Sequence, residues 1–247
     1  MKFFIIFKRD FRNIFLNPIL LMYNTVFPIL LVLVLGHLSY GSYSGYGITS
    51  YEYYGITILI YSALNVSVTA SNSFLEESLK SSNLRIAYTP IDLSYIYLSK
   101  IAATFLFTSI SLIGVIFLLQ TLLEVNISKD IFPYVICILL VFNLFSSVMG
   151  VFLCCIFKSE ELTNTILSLV NNVFAILGGL FFPINSFGSV VEKVSNISPV
   201  KWIMEEVFKI IYDGNTSFFI PIVISLSIAS IILIGNCKLI FKMEDYL

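Results

Sequence analysis

The stretch 132-FPYVICILLVFNLFSSVMGVFLCCI-156 contains no Asp, Glu, Lys or Arg. A helix needs about 20 apolar residues to cross about 30 Å of hydrocarbon, so this run is long enough to span a bilayer. Similar runs recur at about 19–39, 54–75, 96–120, 163–182 and 218–240, and six spans are predicted in all. None alternates in the way a membrane β-barrel strand does. Composition agrees. The 247 residues are 58% hydrophobic and only 12% charged, with 23 Phe and 14 Tyr, and mean hydropathy is +0.95. The expected fold class is an all-α polytopic membrane protein, with one membrane domain over 1–247 and no internal repeat.

The net charge of −1 leaves no basic field for nucleic acid. Cys137, Cys154, Cys155 and Cys237 all lie in apolar runs and form no CxxC pair, so they read as small apolar fillers. The start, 1-MKFFIIFKRDFRNIFLNP-18, has charges interrupting its apolar residues and no small-residue cleavage site, so it is not expected to be a signal peptide. As a helix it is amphipathic. Phe4, Phe7, Phe11, Ile14 and Phe15 recur at helical spacing, while Lys8, Arg9 and Arg12 fall elsewhere. Such a helix lies along the membrane interface, against lipid headgroups.

Positive charge sets the orientation. Lys2, Lys8, Arg9 and Arg12 precede the first span. Lys80, Arg85 and Lys100 surround the second-to-third connection, Lys158 follows the fourth span, and Lys238 and Lys242 close the chain. The other connections hold only Lys129, Lys193, Lys201 and Lys209. Both termini are therefore expected in the cytoplasm. Outside lie 40-YGSYSGYGITSYEYY-54, a small loop near 121–131, and the segment 183–217.

The third and fourth spans read as plain packing or lipid-facing helices. The fifth carries Asn164, Ser168, Asn171, Ala175, Gly178 and Phe182 at intervals of three and four, widened by Asn172 and Gly179. Small and polar residues on one face let helices approach and hydrogen-bond. They also mark pathways. A helix–helix or subunit interface and a translocation route both stay open for this stripe. In 183–217, Ser198 suits an N-cap, Pro199 the first helical position, and Asp213-Gly214 a stop. Residues 199–212 should form an outer amphipathic helix anchored by Trp202, with Glu205, Glu206 and Lys209 near water, and with Pro199, Trp202, Glu205 and Glu206 as candidate gate residues. A second short helix is expected around 186–195.

No GxxxxGK[ST] is present, so no ATP site is expected on this chain. HExxH and GxSxG are also missing, and His37, the only histidine, sits at the end of the first span. The spans lack convincing central carboxylates of the kind that couple ion flow to transport. The energy source is expected on another chain.

The stretch 76-EESLKSSNLRIAYTPIDLSYIYLSK-100 interrupts this apolar chain with charge and proline. It resembles the cytoplasmic loop between the second and third spans of ABC type 2 exporter membrane subunits. There an acidic pair, an apolar-Arg-apolar step and a Thr-Pro precede a helix into the membrane. Glu77, Arg85 and Thr89-Pro90 take those places, with Ser81-Ser82 where a glycine is usual. A second stretch, 178-GGLFFPINSFGSVVEKVSNISPVKW-202, resembles the family's exit from the fifth span, with Ser198-Pro199 in place of Asn-Pro. Residues 1–17 resemble its elbow helix.

The resemblance implies a permease without catalytic, cofactor or metal residues. ATP and magnesium would be held by two ABC ATPase subunits, and a second permease copy would complete a homodimer. A coupling helix at 76–90 would dock on the ATPase. Leu79, Leu84, Ile86 and Ala87 would fill a groove, Glu76, Glu77 and Arg85 would set the register, and Thr89 and Pro90 would end the helix. A solvated loop is the competing reading. The small size and short loops look most like bacterial exporters of antimicrobial or toxin peptides in the plasma membrane. A hydrophobic drug exporter and a non-transport membrane scaffold or intramembrane enzyme are the alternatives.

Overall fold

The computed structural model describes residues 2–42, 49–76, 84–85, 88, 92–123, 130–181 and 193–241. Those residues are almost entirely helical. Helix α1 (Lys2–Leu16) lies against the start of α5, and α2 (Pro18–Asn24) and α3 (Val26–Leu38) together form the first apolar span. Helices α4 (Ser50–Leu75), α5 (Ser94–Leu122) and α6 (Phe132–Phe157) follow. Then come α7 (Glu160–Leu177), α8 (Pro199–Phe208) and α9 (Phe219–Ile240). Among the described residues, five segments are long and apolar enough to cross a membrane: α2–α3, α4, α5, α6 and α9. The predicted span 163–182 corresponds to α7, which begins earlier and is more polar, with Glu160, Glu161, Asn164, Asn171 and Asn172.

The first span is made of two helices. Asn17 caps α2 by accepting from the backbone of Ile19 and Leu20, and Pro18 occupies the first turn. The helix breaks at Thr25, whose φ is −123°. Pro28 explains the break: it has no N–H to offer the Asn24 carbonyl, and its ring crowds that carbonyl. The Asn24 side chain bonds to Thr69 Oγ1 on α4 at 3.0 Å.

Helix α4 is the hub. It packs most extensively on α6 and also touches α3, α5 and α7. At Gly150 the α4 and α6 backbones come so close that a Cβ would meet the Ser67 carbonyl. The fourth span was expected to be plain, yet Asn143 is fully buried in it. It accepts from Thr108 Oγ1 at 2.9 Å and donates to Ser109 Oγ at 3.0 Å, binding α6 to α5. Lys158 ends α6 in the left-handed region, and Ser159 caps α7 by accepting from Leu162 N–H. The outer faces of α3 and α9 are lined by Leu30, Val34, Ile224, Ile228 and Ile231, all exposed.

Candidate functional site

The polar stripe of α7 divides between two faces. Thr163, Leu167, Asn171 and Ala175, each four residues apart, form its buried face. Asn171 Nδ2 donates to Asn65 Oδ1 at 3.2 Å and Ser67 Oγ at 2.9 Å, both on α4. Two turns away, Asn164 Nδ2 donates to Asn72 Oδ1 at 2.6 Å. The Oδ1 atoms of Asn164 and Asn171 are themselves buried and have no hydrogen-bond partner among the described residues. Ser168 and Asn172 lie on the exposed face beside Leu169, Val173 and Ile176. There Asn172 accepts from Tyr61 OH at 3.0 Å.

The buried residues of the stripe face helices of the same chain. Ala175 is fully buried within the chain, and a Cβ on Gly178 would stand 2.7 Å from Val200 Cγ1 of α8. The seam they form is internal, and among the described residues of the stripe Ser168 and Asn172 are the exposed ones. Phe182 lies outside the described residues.

The exit of α7 is held by two tyrosines. Tyr53 OH donates to the Gly179 carbonyl at 2.9 Å and Tyr54 OH to the Phe181 carbonyl at 3.2 Å. Gly179 sits at φ 75°, which favours glycine. Pro199 opens α8 as expected, but Ser198 makes no side-chain cap. Its Oγ donates instead to the Phe174 carbonyl at 2.9 Å. Helix α8 runs on into a wider turn, Lys209–Asp213, ended by Gly214 at φ 64°. Residues 193–195 are helical, and the rest of the expected short helix around 186–195 lies outside the described residues.

Trp202 is exposed, and Ile203, Val207 and Ile210 are buried. Glu205 is exposed and pairs with Lys201 at 3.7 Å. Glu206 departs from expectation: it is only 1% exposed rather than near water. Its Oε1 accepts from Phe218 N–H at 3.2 Å, just before α9, and its Oε2 is buried without a hydrogen-bond partner among the described residues. Its position on the inward face of an amphipathic helix puts it there.

The opposite end holds an ionic cluster that sequence reasoning missed. Asp10 is on the buried face of α1 with Ile6 and Ile14. Its Oδ1 lies 3.2 Å from Lys100 Nζ and 2.7 Å from Arg9 Nη2, and its Oδ2 accepts from Ser99 Oγ at 2.7 Å. Close by, Asn17 Nδ2 reaches Glu76 Oε2 at 3.4 Å. Ser73 and Thr104 are paired through their hydroxyls at 3.2 Å. Both ends of the 76–93 connection are thus fastened to the N-terminal helices. Within that connection, Leu84 is half-buried against the chain's own core, while Arg85 and Tyr88 are exposed. Asp92 accepts from Ser94 N–H at 2.9 Å, which holds its carboxyl below the usual range. Glu77, Leu79, Ile86, Ala87, Thr89 and Pro90 lie outside the described residues.

A family model described as ABC-2 type transporter matches residues 1–212. Comparison with curated proteins finds no match.

Proposed function

The chain belongs to the ABC-2 type transporter family, and on that premise we propose that it is the membrane subunit of an ATP-driven exporter carrying amphipathic cargo, a peptide above all, out of a bacterial cell. The family's members are transmembrane transporter components that work with an ABC ATPase. In this reading two ATPase subunits bind ATP and magnesium, and a second permease copy completes the pathway. The 76–90 segment docks on the ATPase from the cytoplasm, the side of α1, and α8 shields the outer end.

The observation that supports the cargo class is the seam between α4 and α7. Asn164 and Asn171 each hold a buried amide oxygen without a donor among the described residues. A buried acceptor left unpaired costs about 1–3 kcal/mol. Leu167 and Ala175 are buried in the same seam, so cargo meets it only where α4 and α7 part during the transport cycle, and a peptide then brings backbone N–H donors at regular intervals. A hydrophobic drug brings few donors.

The test uses inverted vesicles containing the chain and its ATPase. ATP-dependent uptake of a fluorescent amphipathic peptide is expected, and Asn171→Ala should slow it several-fold. Uptake of a hydrophobic dye with no peptide uptake would favour the drug reading. A chain that copurifies with no ATPase and moves neither would be a scaffold.

A further inference from the structure

Phe218, at the head of α9, is gripped twice by α8 and the turn that follows it. Its N–H donates to Glu206 Oε1 at 3.2 Å, and its ring lies under Lys209 Nζ, 5.4 Å from the ring centre. The next residue, Phe219, meets Tyr134 of α6 edge-on, with ring centres 5.2 Å apart. Phe218 stands at the N-cap position of α9 and makes no side-chain cap of its own. Glu206 supplies that helix end with an acceptor from another helix, and a carboxylate suits the positive end of the helix dipole. The tie is incomplete. A carboxylate has two acceptor oxygens, Glu206 is only 1% exposed, and its Oε2 has no hydrogen-bond partner among the described residues. Among those residues no ion pair reaches it either. A buried charge that is only half satisfied is costly. Residues 212–218, just beside it, are exposed.

We infer that Glu206 and Phe218 form a breakable joint that sets whether α8 is shut against α9. With the bond made, α8 lies closed. When the head of α9 moves away by about the length of one hydrogen bond, roughly 3 Å, water from the exposed 212–218 stretch reaches Oε2 and supplies the donor it lacks. The closed state satisfies the Phe218 amide and the open state satisfies Oε2, so the two lie close in energy. The wide turn Lys209–Asp213 gives the joint its play, and π turns of this kind recur at functional sites. The gap needed is that of a water molecule, too small for a thiol reagent. Glu206 acts here as a positioning residue and not as a cargo contact. The inference rests on the reading of α8 as the cover of the outer end.

The test is hydrogen exchange at the Phe218 amide, read by mass spectrometry on the full chain in nanodiscs. Glu206→Gln keeps an acceptor for that amide but removes the buried charge, so it should slow exchange roughly tenfold. Glu206→Ala removes the acceptor and should speed exchange by a similar factor. The amide of Leu226, further along α9, should not change in either variant, which separates the joint from loosening of the whole helix. A fixed cap predicts a different pattern, with Gln and Ala both exchanging faster than wild type. With the ATPase bound and a non-hydrolysable ATP analogue added, exchange at Phe218 should rise several-fold in wild type and much less in Glu206→Gln. Faster or unchanged exchange in Glu206→Gln, a parallel change at Leu226, or a wild-type rate blind to nucleotide would overturn the joint. The two substitutions need no ATPase, so a chain that moves no peptide can still show the joint, and a chain that moves peptide can still lack it.

Discussion

Lys100 Nζ stands 3.2 Å from Asp10 Oδ1, and both side chains are shut off from the surroundings, so the N-terminal helix is joined to the start of α5 by a buried ion pair. Breaking a buried pair from one side leaves an uncompensated charge, at a cost of about 3–5 kcal/mol, whereas replacing both partners by apolar groups is often neutral. Asp10→Ala should therefore lower the thermal unfolding temperature of the detergent-solubilised chain markedly. Asp10→Leu with Lys100→Met should recover most of the loss. A double variant as unstable as the single one would mean that the pair is not what holds α1.

Two glycines should respond in opposite ways to the same added methyl. At Gly150 the new Cβ meets the Ser67 carbonyl of α4, and overpacking of this kind costs about 1–3 kcal/mol. At Gly235 on α9 nothing lies within 4 Å of the added atom. Gly150→Ala should lower the melting temperature and Gly235→Ala should leave it level or raise it slightly through helix propensity.

The seam between α4 and α7 predicts a third contrast. Asn171→Ala removes two bonds to α4, and interhelical bonds of this kind in membranes are worth about 0.6–1.7 kcal/mol. Ser168→Ala, on the exposed face of α7, should leave chemical-denaturation midpoints of the isolated chain unchanged. Equal losses at both positions would show that the exposed face is also packed.

Exposure on α8 alternates sharply between neighbours. In intact cells, a cysteine replacing Glu205 should react with an impermeant thiol reagent, and one replacing Glu206 should stay unreactive until the protein is unfolded. A cysteine replacing Lys158, at the opposite end of the bundle, should be protected in intact cells and labelled after permeabilisation. Labelling at Lys158 but not at Glu205 before permeabilisation would reverse the orientation.

Much of the bundle was legible in the sequence because apolar length is a local property. The helices at 132–157 and 219–240 lie close to the runs that announced them. Pairings between distant residues were not legible. Lys100 counts as one more positive charge beside a loop, and Asp10 as a lone acid in a basic helix. Only the packing of α1 on α5 brings them together. The spacing of Asn164, Asn171, Ala175 and Gly178 correctly indicates one helical face, but spacing names no neighbour, and that neighbour is α4 and α8 of the same chain. Asn143 looked incidental in an apolar run because its partners, Thr108 and Ser109, are on another helix. Pro28 held the signal for the break at Thr25, since a proline in the first turn of α3 leaves the Asn24 carbonyl without its donor.

The central position of α4 has a consequence for biosynthesis. It is the least apolar of the five candidate spans and the most enclosed. Among the described residues, the side-chain bonds that Asn65, Ser67 and Asn72 make to other helices go to α7, which is made after α5 and α6. A nascent chain that has reached only α5 has no such partners for them, so the helix should remain at the insertion channel until its later neighbours emerge. Ribosome-stalled chains provide the assay. A cysteine replacing Asn65 should crosslink to the channel when the chain stops after α5, and the crosslink should fade once α6 and α7 have been synthesised. Early release into lipid would show that α4 partitions by itself.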